Sequence, residues 1–510
     1  MALSGSFRKR WQTAPISLDG GPQNVEATSF DAIPANRALQ LTPISAVIIL
    51  FAMRIVAMRW ADFDLFRHLS NGRLWVDSGI FPSPDRFSWS APGHTVIVHS
   101  IQFDRIFYLL WKLHGTEAIA AGAAVLFAGA LLPYAFLLGR MGLNPFIETI
   151  GLILLVVMLL PYRGARPHFF GAVLFGILVL LAERPFGLRK AIVSGVVLGL
   201  WLNLHASFLV GFMLVGCAVA AWTLARDYRA AANASLALLM GSAATLVSRF
   251  GLDLWRLPFT VSSNDAFIHI NGDWVGLRPL SPVDSLVGLL IVAATALGVW
   301  RRGDARALTA LALLLPTIQY SRFSTFLAPL LFILVAERLA ERAPYIVVNP
   351  LSNLGKTLID GRLTKIAAVI LLIGVFYASR FAPATLEGAA FSSMPESAVT
   401  ELLACGQPAP VWNDFDWGAY LIWRGDGLYT IGIDGRAETV YPTQVFKDYF
   451  AVIQHAANWQ ELVQTSPAQY MLVKPEMKPF VEPLDGWQIV HTDGVAIVAK
   501  RDNAAWNCSR

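Results

Sequence analysis

The chain has 510 residues, of which 55% are hydrophobic and 15% charged, and its mean hydropathy is +0.53. A soluble domain carries about 25% charged residues, so this composition excludes an ordinary soluble protein and indicates an integral membrane protein. The formal charge of +5 does not indicate a nucleic-acid partner, because most lysines and arginines lie in short connectors between apolar segments, as in membrane proteins generally. We therefore expect membrane lipid, and no nucleic acid, among the partners.

Apolar segments fill most of the chain between residues 43 and 380, and a helix needs about 20 apolar residues to cross a bilayer. They predict about eleven membrane spans, several of them short. The spans are Pro43–Met58, Ala118–Leu138, Ile147–Tyr162, Phe169–Ala182, Ala191–Leu204, Phe208–Leu224, Ser235–Val247, Val283–Trp300, Ala307–Ile318, Phe323–Val335 and Ile366–Ala378. Residues 1–42 lack the apolar core of a cleavable signal peptide, so we predict a cytoplasmic amino-terminal segment.

The segment Ser100–Gly115 is apolar on one face but carries charged residues such as Asp104. If it crossed the membrane, the basic connectors at Arg184 and Arg301 would lie outside, against the usual cytoplasmic excess of positive charge. We therefore predict an amphipathic helix in the plane of the interface. Residues 61–117 then form the first outer loop.

Residues 381–510 have the composition of a small soluble domain, and the same topology places them on the periplasmic side of a bacterial cytoplasmic membrane. The segments with strand character are "APVWNDF", "AYLIW", "LYTIGI", "YMLVK", "WQIVHT" and "VAIVAKR", the last two joined by a hairpin turn. The spacing of apolar residues predicts a helix over Thr443–Gln464. We predict an outer α/β domain, in which Cys405 and Cys508 could form a disulfide or remain thiols.

Asp62 and Asp64 stand two residues apart where the first span ends. They could simply mark the water boundary, or they could bind a divalent cation or supply a general base. Arg67 and His68 follow at helical spacing, which predicts a short helix with polar groups on neighbouring faces. The outer loop continues to His99, beside the interfacial helix.

Other outer connectors contain basic and amide side chains. These candidate substrate-binding residues are Arg163, Arg166, His168, Asn203, His205 and Arg322, which join Arg67, His68, His99 and Asp104 of the first loop. Each arginine could be a helix-end residue that reaches toward the headgroups. Together on one side of the membrane they favour a lipid phosphate or pyrophosphate as ligand, since the guanidinium fork suits phosphate.

The quoted segments resemble a known group of proteins. "ADFDLFRHLSNGRLWVDSGIFPSPDRFSWS", "ARPHFFG", "NLHAS" and "DFDWGAYL…IDGR" are similar to segments of bacterial multi-span proteins of the GT-C superfamily, which contains polyprenol-dependent glycosyltransferases. The resemblance implies a GT-C-like membrane domain over residues 43–380. It also implies that Asp62 or Asp64 acts as the catalytic base or holds Mg²⁺ or Mn²⁺.

A second similarity concerns "NDFDWGAYL", at the beginning of the outer domain. It resembles the "WWDYG" segment of oligosaccharyltransferase catalytic subunits, although the tryptophan pair is missing. Asp416 and Trp417 would then contact the acceptor. The same residues are equally compatible with a buried turn in a small sheet.

The resemblance implies an inverting transferase that moves a sugar from a polyprenyl-phosphate donor to an envelope glycan, lipid or protein. A transporter or flippase of lipid-linked glycans, a polymerase or ligase, and a non-catalytic assembly component are the alternatives. A transporter would favour charges within the spans and repeated halves, whereas the charges of this chain gather at one face and no repeat is visible.

Overall fold

A computed structural model describes residues 41–58, 63–141, 143, 145–162, 164–262, 275–278, 281–342 and 393–508. The helices of the amino-terminal part are α1 (Pro43–Ala57), α2 (Phe63–Ser78), α3 (Ile101–Met141), α4 (Pro145–Leu159), α5 (His168–Leu181), α6 (Leu188–Leu202), α7 (Phe208–Leu224), α8 (Tyr228–Ala243), α9 (Asp253–Ser262), α10 (Pro282–Ala296), α11 (Ala305–Gln319) and α12 (Ser324–Arg342).

Within the described part of the chain, three helical segments are long and apolar enough to cross a membrane, by length and composition: Ile101–Met141, Tyr228–Val247 and Ser321–Arg342. Shorter apolar helices precede them, as α1 does, or lie between them along the chain, as α5 and α7 do. The predicted helical membrane fold is therefore confirmed. The number of spans stays a prediction, and the predicted span Ile366–Ala378 lies outside the described residues.

The long helix α3 is broken at His114 and Gly115, where Gly115 has a φ of 58°. Glycine adopts this left-handed conformation without the steric cost that a Cβ imposes, and it commonly ends helices. Before the break, Ile106, Leu109 and Leu113 leave an apolar stripe exposed. The break falls at the predicted end of the interfacial helix, and the exposed stripe agrees with a helix that lies on the membrane surface.

Arg306 joins two helices and a connector at the end of the bundle where the basic connectors lie. Its guanidinium donates to both carboxylate oxygens of Glu337 at 2.8 and 2.9 Å, and it lies 3.4 Å from the carboxylate of Glu183. Such bidentate pairs fix geometry as well as charge, so α11 and α12 and the chain that follows α5 are held together there.

The carboxy-terminal part contains a four-stranded sheet in the order β1-β2-β4-β3. Its elements are α13 (Glu396–Cys405), β1 (Val411–Asn413), α14 (Gly418–Arg424), α15 (Ala437–Val440), α16 (Thr443–Ile453), α17 (Trp459–Thr465), β2 (Tyr470–Val473), α18 (Lys478–Val481), β3 (Trp487–Thr492) and β4 (Ile497–Arg501). β1 pairs parallel with β2, whereas β4 is antiparallel to both β2 and β3. The predicted α/β character and the final hairpin are confirmed.

Three local predictions for this part were wrong. "AYLIW" forms the buried helix α14, because a short apolar run fits a buried helical turn as well as a strand. "LYTIGI" makes only isolated bridges, through Ile431. The helix predicted over Thr443–Gln464 is two helices, α16 and α17, separated by residues that include His455 at a φ of 55°.

Cys405 and Cys508 form a disulfide, which the spacing alone left open. It ties the end of α13 to the chain beyond β4, across a sequence separation of 103 residues. Cross-linking a chain limits the freedom of its unfolded state, so the bond stabilises this part of the protein.

We expect Cys508→Ser to lower the free energy of unfolding by about 2–4 kcal/mol. Denaturant unfolding of the purified protein with and without a reductant measures the effect. Cys217→Ser is the control, because Cys217 is a free cysteine in α7. A stability of Cys508→Ser equal to that of the wild type would contradict a stabilising disulfide.

Candidate active site

Helix α2 carries Asp64 in its first turn and continues with Arg67 and His68. Arg67 lies one turn after Asp64, and its guanidinium is 3.8 Å from the Asp64 carboxylate. The Asp64 side chain is 38% exposed and that of Arg67 10%, so the carboxylate remains accessible to a ligand. The predicted short helix is confirmed, and it places a carboxylate and a guanidinium side by side.

Asp104 of α3 holds α2 in place through hydrogen bonds to its side chains. Its buried carboxylate accepts hydrogen bonds from His68 Nδ1 at 2.6 Å, from the Asn71 amide at 3.0 Å and from the Ser100 hydroxyl at 3.2 Å. A buried carboxylate that receives such donors is well satisfied, and it fixes the ring that donates to it. Asp104 is thus a positioning residue here.

The proton on Nδ1 of His68 leaves its Nε2 as an acceptor, 3.4 Å from a guanidinium nitrogen of Arg67. Contacts therefore run from Asp104 through His68 to Arg67 and on to Asp64. This arrangement holds the guanidinium that lies beside the exposed carboxylate.

Gly72 lets α2 and α3 approach this closely. A Cβ at this position would lie 2.3 Å from the backbone oxygen of Asp104 and 2.5 Å from the Cβ of Tyr108. Backbone cannot yield as a flexible side chain can, so only glycine fits. Gly72 therefore allows the close packing of α2 on α3 that brings His68 to Asp104.

Two histidines from different loops lie next to each other. The rings of His99 and His205 are 5.6 Å apart between centroids and meet edge to face. Burial, together with the charge of Arg67 and nearby groups, lowers the pKa of His99 to about 3. Burial lowers the pKa of His205 well below its usual value, with contributions from His99 and Arg322. Both rings are therefore uncharged at pH 7.

His205 is held by the residues that follow it. Its Nδ1 accepts the backbone N–H of Ser207 at 3.1 Å and lies 2.7 Å from the Ser207 hydroxyl. The neutral ring therefore carries its proton on Nε2, which makes that nitrogen a donor. Asn203, by contrast, donates its amide to the oxygen of Gly199 at the end of α6 and acts as a helix cap in this structure.

The remaining basic candidates interact electrostatically with this histidine pair or its neighbours. Arg322 lies close enough to act on His99, His205 and His168, and Arg166 close enough to act on His168. Connectors far apart in sequence thus contribute to one basic region beside α2. Asp62 and Arg163 lie outside the described residues.

Because of the pKa of His99, we expect acidification to destabilise the protein. The unfolded histidine takes up a proton below about pH 6.5, whereas the folded one remains neutral until about pH 3. The stabilisation is complete above pH 6.5 and is lost as the pH falls, by up to about 1.4 kcal/mol per pH unit. Thermal unfolding of the wild type and of His99→Asn between pH 7 and pH 5 measures this, and equal slopes would contradict it.

The carboxy-terminal part approaches Asp64 through Gly435. A Cβ on Gly435 would lie 2.0 Å from Asp64 Oδ1, so this glycine is packed directly against the carboxylate. Asn413 of β1 holds the preceding residues, since its side chain accepts the N–H of Gly432 at 2.8 Å and donates to the oxygen of Ile433 at 2.7 Å. The "IDGR" segment thus forms one wall around the candidate base.

Arg436 fastens this wall to the first outer loop. Its guanidinium forms buried ion pairs with Asp434, at 2.8 Å, and with Asp85. The Arg436 guanidinium also donates to Ser88 Oγ at 2.9 Å, and Tyr441 donates to Asp434 at 3.0 Å. The sequence did not single out Asp85, and its only signal was the polar "SPDRFS" segment in an otherwise apolar chain.

We expect Gly435→Ala to lower activity more than stability. The methyl group would push the Asp64 carboxylate aside, and a displacement of about 1 Å at a reacting group can cost 10²-fold in rate. The measurement is the rate of sugar transfer together with the melting temperature. Gly494→Ala is the matched control, because a Cβ there meets nothing within 4 Å. Equal activities of the two variants would refute this role for Gly435.

Asp416 and Trp417 lie in the carboxy-terminal part, in the turn between β1 and α14. Trp417 is buried, at 2% exposure, and its indole N–H donates to the oxygen of Ser393 at 3.2 Å. Asp416 pairs with Lys474 at 3.2 Å. The buried-turn interpretation therefore describes Trp417 better than the acceptor-contact interpretation.

The described donors do not form a divalent-cation site at Asp64. Among described residues, the one group of three or more acidic, histidine or cysteine donors close enough to share an ion is Glu401, Cys405 and Cys508, and its cysteines are joined in a disulfide. Around Asp64 the neighbouring groups are mainly basic, whereas Mg²⁺ requires oxygen ligands.

No protein-family model matches this chain, and no curated protein matches its sequence. Among solved structures it is similar to ArnT from Cupriavidus metallidurans bound to undecaprenyl phosphate, with 14% identity, 90% of this chain and 97% of that chain covered, and a TM-score of 0.47. The apo ArnT structure is similar to this chain with 14% identity, covers 89% of this chain and 96% of its own, and has a TM-score of 0.48. The apo oligosaccharyltransferase of Archaeoglobus fulgidus is similar with 10% identity, covers 85% of this chain and 70% of its own, and has a TM-score of 0.47.

The chemistry proposed below rests on the residues of this chain.

Proposed function

We propose that this protein is a membrane glycosyltransferase that takes a sugar from a polyprenyl-phosphate donor on the outer face of a bacterial cytoplasmic membrane. The observation that carries the proposal is the accessible Asp64 carboxylate beside Arg67, within a region of otherwise basic residues. Sugar transfer from a lipid phosphate needs this combination: one base for the acceptor hydroxyl, and cations for the departing phosphate.

In the proposed reaction, Asp64 accepts the proton of the acceptor hydroxyl. The hydroxyl oxygen attacks the anomeric carbon of the donor sugar as the bond from that carbon to the phosphate oxygen breaks. The electron pair leaves with the polyprenyl phosphate. Attack from the side opposite the phosphate inverts the configuration at the anomeric carbon.

Arg67 is proposed to hold the leaving phosphate, with Arg322 and Arg166 as further cations. Guanidinium groups bind phosphate oxygens through paired N–H donors, and their charge is permanent at any relevant pH. His205 would add a neutral N–H donor from Nε2. Asp104 and His68 act through Arg67, by holding its position.

The acceptor in this proposal is an envelope glycan, lipid or protein. In this proposal the chain consists of a cytoplasmic segment (residues 1–42), a membrane domain (43–380) and a periplasmic domain (381–510). Asp62 and Asp64 would be the residues that hold Mg²⁺ or Mn²⁺, and inhibition of the reaction by EDTA tests whether such an ion is required.

The test is a donor-consumption assay on the full chain in detergent. Radiolabelled sugars linked to polyprenyl phosphate serve as donors, and released polyprenyl phosphate is measured by chromatography, with and without EDTA. The proposal predicts release that depends on the protein. No release in this assay, combined with movement of an intact lipid-linked sugar across reconstituted vesicles, would replace the transferase with a transporter.

A further inference from the structure

A cavity lies on the other side of α2 from Asp64. It has a volume of about 620 Å³, within the range of roughly 300–1,000 Å³ typical of small-molecule sites. Its walls include Phe66 and Arg73 of α2, Trp111 of α3, and Tyr420, Trp423 and Arg424 of α14. Neither the proposed base nor the histidine pair belongs to this lining.

The cavity faces away from the membrane side of α3. The exposed apolar stripe of this helix is formed by Ile106, Leu109 and Leu113. At about 100° per residue, Trp111 projects from the opposite face of the helix. When the stripe rests on the lipid, the cavity opens on the water side of α3. A lipid tail would not find an apolar environment there.

The charged groups of the lining are already paired. Arg73 lies 3.1 Å from the Asp426 carboxylate and donates to the oxygen of Trp423 at 3.0 Å. Arg424 is paired with Glu396, which also lines the cavity. The pairs neutralise the charges and leave no excess positive charge for a phosphate, but N–H donors and carboxylate oxygens remain for hydroxyl groups.

Aromatic surface forms the rest of the wall. Trp111 and Trp423 meet edge to face with ring centroids 5.3 Å apart, and Phe66 and Tyr420 do so at 4.8 Å. Phe66, Tyr420 and Trp423 are buried, whereas Trp111 is half-buried and keeps part of its apolar ring surface exposed beside the polar groups. A sugar ring has the complementary chemistry, because it presents C–H groups on its faces and hydroxyl groups around its edge.

We propose that this cavity binds a saccharide, namely a part of the acceptor away from the reacting hydroxyl. The inference rests on the proposed transferase function for its role and narrows the acceptor to a carbohydrate-bearing molecule. The binding itself can be measured without any donor.

The experiment is saturation-transfer-difference NMR on the full chain in detergent, with a panel of neutral, N-acetylated and acidic trisaccharides as probes. We expect signals from the C–H groups of at least one trisaccharide. Trp111→Ala should weaken that binding about tenfold or more. Arg424→Gln should also weaken it, and this second variant changes a partly exposed ion pair that contributes little to folding.

Trp459→Ala is the matched control, because Trp459 is a half-buried tryptophan of α17 outside the cavity. Its trisaccharide signals should equal those of the wild type. No signal from any member of the panel, or equal signals in Trp111→Ala and Arg424→Gln, would overturn the proposal. Loss of signal from a short-chain phospholipid in these variants, in place of a trisaccharide, would overturn it in favour of a lipid site.

The two proposals fail in different measurements. A wild-type protein that binds trisaccharides but never consumes donor would refute the transferase and leave the saccharide site in place. A protein that consumes donor but shows no cavity-dependent saccharide binding would refute the saccharide site and leave the transferase in place.

Discussion

Asp64→Asn should lower the rate of sugar transfer by about 10²–10⁴-fold, the usual contribution of a general base. The amide keeps the shape of the carboxylate but cannot accept the proton of the acceptor hydroxyl. Because Asp64 is 38% exposed and its partner Arg67 lies 3.8 Å away, we expect little change in stability. Transfer of radiolabelled sugar under single-turnover conditions measures the chemical step, and the melting temperature measures folding.

Asp77→Asn is a closely matched control. Asp77 lies on the same helix, its side chain is 37% exposed, and it is bound to Tyr108 and Lys112, away from Asp64. The two variants therefore differ mainly in location. Equal activities would remove Asp64 from the mechanism.

Asp62→Asn, measured in parallel, decides between the two acids of the sequence pattern. The sequence leaves both acids open, and the contacts of Arg67 and Gly435 with Asp64 favour Asp64. A large loss in Asp62→Asn beside a nearly active Asp64→Asn would assign the base to Asp62. EDTA sensitivity that disappears in either variant would assign that residue to a bound cation.

Local patterns predicted the elements that carry the site. The polar residues at helical spacing after Asp64 predicted α2, and the polar face of Ser100–Gly115 predicted the interfacial helix, which ends at the Gly115 break. The position of the second helix in the membrane interface stays a prediction, whereas both helices are confirmed, because periodicity reports which face of a helix meets which surroundings. It could name His68 and Asp104, but not the 2.6 Å hydrogen bond that joins them.

The contacts with the carboxy-terminal part could not be predicted in this way. Asp85 and Arg436 are 351 residues apart, and no local pattern links an acid in a proline-rich loop to an arginine in a turn. The same limit explains the helix α14, since the apolar run from Ala419 to Trp423 gains its conformation from packing against α2 through contacts such as Phe66 with Tyr420. Tertiary packing overrides propensity in short apolar segments.

The ionic cluster around Arg436 should be the most sensitive point of the outer structure. The side chains of Asp85 and Asp434 are fully enclosed. Arg436→Met would therefore leave two buried carboxylates without their cation. Removing one member of a buried ion pair typically costs about 3–5 kcal/mol, because the other charge is left uncompensated. Denaturant unfolding, followed by tryptophan fluorescence, measures the loss.

Arg256→Met supplies the control for a simple loss of an arginine. Arg256 is 78% exposed and pairs with Asp253 on the surface of α9, so its removal should change stability by less than about 1 kcal/mol. If burial of unpaired charge is the cause, adding Asp85→Asn and Asp434→Asn to Arg436→Met should recover part of the loss. A triple variant no more stable than Arg436→Met would point instead to lost packing.

The same variant tests whether the outer loop and the carboxy-terminal part build the site together. Arg436 follows Gly435, which packs against Asp64, and it binds Asp85 of the first loop. Releasing it should therefore loosen the wall around the base, and transfer should fall even at temperatures where Arg436→Met remains folded. Full activity in the folded variant would mean that Asp64 is held by α2 alone, through Arg67 and the contacts that run to Asp104.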